Sequence, residues 1–243
     1  MNRTWKILMD VLVLLFYVNV AGAIILLAQP KGQQLQTTNA VIEPSLHKSI
    51  DPVVKRYARL HGLDWRLIYA MINVESRFEK NAVSYAGAVG LMQVLPQVAK
   101  EFDTQNLHEP TENIRIGVAH LSKYLQKIKG HTRKDQILMA LAAYNGGIGH
   151  IYDAKRLASQ RGLDPFSWND VATVLPELEL PEVYENTQHG YCQGQRMVRY
   201  VEEIQDTYQQ YQSNHPALPM IEKPDLERTL TRSIPKRSAQ LQS

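Results

Sequence analysis

Apolar positions recur at helical spacing through the middle of the chain. Leu67, Ile68, Met71 and Ile72 fall on one stripe, and extending it by three or four residues reaches Glu75, an acid where an apolar residue is expected. Asp64 stands where it can cap that helix. The helix before it is expected to open at Asp51-Pro52 and to stop at Gly62. A third helix, about 112–128, gathers Ile114, Val118, Leu121 and Leu125 as plain core. A fourth, about 134–145, carries Leu138, Leu141 and Ala142 on a stripe that ends in Asn145, just before Gly146-Gly147. Ile148 to Arg161 reads as another helix stopped by Gly162, and Ser167 with Asp170 resembles a capping box. The last helix, about 195–211, lines up Met197, Tyr200, Val201, Ile204 and Tyr208. Strand signals are scarce, at most a small β-hairpin around 84–94, where Gly87 and Gly90 allow tight turns. The expected fold class is mainly α.

The two ends differ from this middle. From Val11 to Ala28 the chain has no charge, and counted from Ile7 the run would extend about 33 Å as a helix, enough for a bilayer core of about 30 Å. One N-terminal transmembrane helix is therefore expected within 1–28, with Arg3 and Lys6 holding the N-terminus in the cytoplasm. A cleaved signal peptide is the rival, because Ala21-Gly22-Ala23 has the small-residue pattern of a cleavage site. Residues 29–50 read as a flexible tether, 51–214 as the folded domain, and 215–243 as a disordered basic tail with Pro216, Pro219, Pro224 and Pro235. The domain is placed in the periplasm on a single-pass inner-membrane anchor, or secreted if the leader is removed.

Composition removes several chemistries. With 27 Lys and Arg against 24 Asp and Glu the net charge is +3, too balanced for a dedicated nucleic-acid binder. A single cysteine, Cys192, leaves no disulfide framework and no Cys-clustered zinc site. No two histidines stand three to five apart, and neither a nucleophile elbow nor a phosphate-cradling loop is present, so no metal or organic cofactor is expected. Glu75 remains. Burial disfavours its charged form, and a shift from about 4.3 to about 6 would cost roughly 2.3 kcal/mol, which suits a general acid working near neutral pH. A Glu at the stripe's edge near the helix end, reaching solvent or paired with Arg77 or Lys80, is the plain structural alternative, and periodicity leaves both readings open.

Four segments change that balance. Glu75-Ser76, then Ala82 through Gln93, then Ala143-Tyr144-Asn145-Gly146-Gly147, then Tyr200-Val201-Glu202 closely resemble, in order and spacing, the four blocks of the family 1 lytic transglycosylases. The resemblance covers about 51–212, and Tyr152 to Trp168 with the Leu-Pro-rich stretch 175–181 look most like the membrane-bound lytic murein transglycosylase F branch. It implies a lysozyme-like domain with Glu75 as the sole catalytic acid and base. It also implies substrate contacts at Ser76, Met92, Gln93, Tyr144 and Asn145, and a tyrosine at Tyr200 whose hydroxyl bonds the catalytic carboxyl. There are departures: Lys80 stands where relatives often have proline and Val98 where they have threonine, and only a short tether occupies the place of a large solute-binding domain.

The reaction that the resemblance implies is cleavage of the MurNAc-GlcNAc β-1,4 bond of peptidoglycan with formation of a 1,6-anhydromuramyl end. No second carboxylate is needed, because the C6 hydroxyl of the muramyl sugar is the nucleophile, and none of Glu79, Glu101 or Asp103 has the apolar surroundings of one. The implied partners are glycan strands and the inner membrane, with an envelope protein complex left open. A goose-type-like muramidase that hydrolyses the same bond, and a non-catalytic murein-binding scaffold, are the alternatives.

Overall fold

The computed structural model describes residues 44–104 and 106–215, and all of their named elements are helical. The expected membrane span, most of the tether and nearly all of the tail lie outside the described residues. Within them no helix is long and apolar enough to cross a membrane.

Helix α1, Pro44–Leu60, begins seven residues earlier than the Asp51-Pro52 signal suggests, so residues 44–50 belong to a helix and not to a tether. The cause is the apolar stripe, which continues upstream as Leu46 and Ile50 before Val54 and Ala58, while Pro52 faces solvent. The helix ends as expected at Gly62, whose φ of 62° lets Gly62 and Leu63 donate back to Arg59 and Ala58.

Helix α2, Trp65–Ser76, is capped by the Asp64 carboxylate, which accepts from the Arg66 N–H. Its residues Leu67 to Ile72 are all buried. A short α3, Pro96–Lys100, leads to α4, Pro110–Lys127, with Ile114, Val118, Leu121 and Leu125 in the core. Helix α5, Arg133–Gly146, opens on a reciprocal capping box between Thr132 and Asp135 that the sequence reading passed over. Helix α6, Ile148–Gln160, stops at Gly162 with the same pair of backward bonds seen at Gly62.

Only half of the box expected at Ser167 forms. The hydroxyl accepts from the Asp170 N–H and caps α7, Trp168–Val174, but the Asp170 carboxylate accepts from the Asp164 N–H instead of closing on Ser167. A 3₁₀ turn, Leu175–Glu179, and a single turn α8, Pro181–Tyr184, then lead into the long α9, Gly194–Asn214. Helix α9 packs along α2 and α5, so the helix bearing Tyr200 lies against the helices bearing Glu75 and Tyr144. In place of the expected hairpin there are two isolated antiparallel bridges, Val83 with Val89 and Val89 with Val94.

Candidate active site

Glu75 lies in the last turn of α2. The chain then bends through two consecutive left-handed residues, Arg77 (φ 51°) and Phe78 (φ 64°), each at a cost of roughly 1–2 kcal/mol for a residue with a Cβ. Burial of the Phe78 ring against His47 and Tyr69 offsets that cost. Strain of this kind, directly after the acid, turns the following loop back over the helix end. Ser76 secures it there: its hydroxyl lies 3.1 Å from the Ile72 carbonyl and 2.9 Å from the Leu91 carbonyl of the returning loop.

The loop itself is built tightly. Val89 and Val94 exchange both backbone hydrogen bonds at 3.0 Å, closing Gly90–Gln93 into a four-residue turn. Asn113, buried in α4, fixes that turn from below with three bonds. Its Nδ2 donates to the carbonyls of Val89 (2.7 Å) and Leu107 (2.9 Å), and its Oδ1 accepts from the Met92 N–H at 2.8 Å. Gly90 (φ 78°) is required here, because a Cβ would stand 2.4 Å from Asn113 Nδ2. The Met92 carbonyl is held from the other side by the Tyr144 hydroxyl at 2.7 Å.

Tyr200 completes the group, donating to Glu75 Oε1 at 2.5 Å. Gly146 assists, since a Cβ there would collide with Met197, the residue one turn before Tyr200 on α9. Burial raises the Glu75 carboxyl to about 7, while the Tyr200 hydrogen bond and the positive charge of Arg196 pull it down by less. Burial and the charge of Glu75 push the hydroxyls of Tyr144 and Tyr200 well above the ordinary phenol range, so both stay donors at neutral pH. Among the described residues Glu75 makes no ion pair, so the structural alternative of pairing with Arg77 or Lys80 is not realised.

The structure thus brings Glu75, Ser76, Tyr144 and Tyr200 together with the Gly90–Gln93 turn. Asn145 follows Tyr144 in the last turn of α5 and is half-buried. The Met92 side chain has no exposed surface and packs where Gly117 leaves room for it. Gln93 spends its Nε2 on the Ala82 and Gly90 carbonyls, and its amide oxygen is left for other partners. Of the acids considered as a second carboxylate, Glu101 pairs with Lys123 and Glu79 accepts from the Asn81 N–H, both at exposed positions. Asn113 was missed. Its signal was a second buried face on α4, where Asn113, Gly117 and His120 recur at helical spacing beside the apolar stripe.

Comparison with known proteins agrees with this assembly. Residues 52–166 match the Transglycosylase SLT domain. A membrane-bound lytic murein transglycosylase F of Desulfosudis oleivorans is 38% identical over 158 residues, covering 65% of this chain and 35% of that protein. Its namesake in Shewanella pealeana is 37% identical over 155 residues, covering 63% and 32%. The chain therefore spans about a third of the length of these relatives. An inactive mutant of lytic transglycosylase Slt from Pseudomonas aeruginosa superposes with a TM-score of 0.50 at 24% identity, over 70% of this chain and 24% of that one, which is a likeness of fold. With helices, turn and acid arranged in this way, the stretch 52–166, from α1 into the α6–α7 connection, matches the transglycosylase SLT domain.

Proposed function

We propose that the protein is a peptidoglycan lytic transglycosylase in which Glu75 serves first as acid and then as base. The observation that carries the reading is the pairing of burial with one hydrogen bond. A carboxyl raised to about 7 is partly protonated at neutral pH, and the Tyr200 hydroxyl occupies Oε1, leaving Oε2 to carry the proton. In the first step that proton passes to the glycosidic oxygen between MurNAc and GlcNAc, and positive charge grows at C1. The Tyr200 donor stabilises the carboxylate so formed, which then takes a proton from the C6 hydroxyl as this oxygen closes on C1. Atoms balance without water, and the product is a 1,6-anhydromuramyl end. Glu75 leaves the cycle protonated, as it entered.

The other residues take supporting parts. Ser76, Asn113 and Tyr144 hold the Gly90–Gln93 turn in register with the acid, and Gln93 Oε1 and Asn145 are the polar groups offered to the glycan. The domain acts in the periplasm, held to the inner membrane by the apolar segment 1–28 and set off from it by the tether, where attachment raises the local concentration of enzyme at an insoluble substrate. The test is digestion of purified murein by the wild-type chain and by Glu75→Gln. Anhydromuramyl ends from the wild type, with folded but inert Glu75→Gln, are expected. Reducing ends heavier by one water, about 18 mass units, indicate hydrolysis instead, and undiminished cleavage by Glu75→Gln removes the proposed acid.

A further inference from the structure

A cavity lies at the other end of α2 from Glu75, beside Trp65 and Tyr69. It measures about 430 Å³, within the range of small-ligand sites, and is formed where α1, the start of α2 and the end of α9 meet. Its wall is aromatic. The Tyr69 ring stands 5.5 Å from Trp65, edge to face, and 5.7 Å from Tyr211. Tyr69 is buried and fixed, its hydroxyl donating to Asp51 Oδ1 at 3.2 Å, whereas Trp65 and Tyr211 are half-buried and turn part of their surface to the opening. Lys55 reaches Asp51 Oδ2 at 2.7 Å and also stands 5.1 Å from the Trp65 ring centre, and Lys48 is exposed at the rim.

We infer that this cavity is a second binding site for an amino-sugar glycan bearing carboxylates, separate from the site of cleavage. The inference rests on the murein reading above and adds a place where the same polymer is held. Each component has a counterpart in such a ligand. The C–H face of a pyranose ring packs on the half-open faces of Trp65 and Tyr211. Asp51 accepts from sugar hydroxyl or N-acetyl N–H groups, and Lys48 with Lys55 attracts lactyl or peptide carboxylates.

A lipid surface fits less well. The site is concave and contains an acid, and the large apolar side chains that the domain exposes, such as Val83, Tyr85, Phe166 and Tyr191, lie elsewhere. Trp65 precedes Glu75 by ten residues on one helix, a separation of about 15 Å along its axis. A strand held at both places meets the acid at a high effective concentration, and a short fragment that reaches only the acid gains nothing from the second site.

The test uses the full chain in detergent, as wild type, Trp65→Ala and Lys48→Glu, with three readouts: co-sedimentation with purified sacculi, turnover of a soluble dimer of disaccharide-peptides joined through one MurNAc-GlcNAc bond, and binding to phosphatidylglycerol vesicles. Expected is a fall of about 100-fold in sacculus affinity for both variants, with turnover of the soluble dimer unchanged. Lys48 is exposed, so its variant folds and decides the matter even where Trp65→Ala does not. Sacculus affinity equal to wild type in Lys48→Glu overturns the inference. So does a loss confined to vesicle binding, which assigns the cavity to lipid. A wild type that sediments with sacculi but leaves the soluble dimer intact overturns the catalytic reading and not this site.

Discussion

Tyr200 and Glu75 stand 125 positions apart in the chain and share a hydrogen bond of 2.5 Å, with the tyrosine as donor. The bond has a definite sign. It favours the carboxylate and so opposes burial, which favours the acid, and the balance sets the carboxyl at about 7. Replacing Tyr200 by Phe removes the opposing influence and nothing else of similar size. The Glu75 pKa is expected to rise by roughly one to two units, since a hydrogen bond to a charged group is worth about 1.5–3 kcal/mol and one unit corresponds to 1.36 kcal/mol. Carboxyl-carbon NMR titration measures it. An unchanged or lower value would falsify the assignment of the bond as the counterweight to burial.

The turn that faces the acid depends on one amide. Asn113→Ala leaves the Met92 N–H and the Val89 and Leu107 carbonyls buried without that partner, and a loss of about 3 kcal/mol or more is expected in denaturant unfolding. Asn113→Asp keeps the size but sets a carboxylate oxygen against two carbonyls. Its stability should recover as pH falls, because the protonated acid donates one hydrogen bond where the carboxylate donates none. Gly90→Ala meets the same side chain at 2.4 Å from the other direction and adds strain at φ 78°. If Asn113→Asp unfolds at the same denaturant concentration at pH 4 and pH 8, the amide is not the clamp described.

The sequence legibly marked the elements that rest on local chemistry. Gly62 and Gly162 end their helices, Asp64 caps α2, and the stripes of α4 and α9 are buried where periodicity put them. Glu75 stood out because an acid interrupted an apolar stripe, and Tyr200 was placed beside it by resemblance. What depends on long-range packing was not legible. The stripe of Leu46, Ile50, Val54 and Ala58 runs past Pro52 at helical spacing, but it competes there with the Asp51-Pro52 start signal, and burial of Ile50 and Val54 against other helices decides between them. The Asn113 clamp joins three backbone groups more than five residues away in sequence, so no local window contains it.

Met92 separates packing from recognition. Its side chain is fully enclosed and occupies the space that Gly117 leaves on α4. Met92→Ala should therefore cost about 2–5 kcal/mol, as large-to-small changes in cores do, while Met92→Leu should cost less than about 1.5 kcal/mol. KM for murein should be the same in Met92→Leu and wild type. A shift in KM with the melting temperature unchanged would instead show the thioether meeting the glycan.

One buried group, His120, and one half-buried group, Glu75, set the pH limits of the fold from opposite sides. His120 packs its ring against Tyr124 and Tyr144 at 4.4 and 5.5 Å, and its Nδ1 has no hydrogen-bond partner among the described residues. Burial lowers its pKa from 6.5 to about 4, against the smaller upward pull of Glu101 and together with the repulsion of Lys123. The folded state keeps this imidazole neutral, so stability is lost as pH falls from 6.5 through 4, by up to about 3 kcal/mol. Glu75 is raised from 4.5 to about 7, and the folded state prefers it protonated, so stability is lost as pH rises from 4.5 through 7, by a similar amount. His120→Phe should flatten the acid side of the stability profile and leave the alkaline side alone. Glu75→Gln should do the reverse, making the inactive protein more stable than wild type at pH 8 and little different at pH 4. Urea unfolding of the three proteins at pH 4, 5.5 and 8 reads both effects. Parallel profiles for wild type and Glu75→Gln would mean that the carboxyl is solvated in the fold as it is in the unfolded chain, and the acid proposed for catalysis would lose its raised pKa.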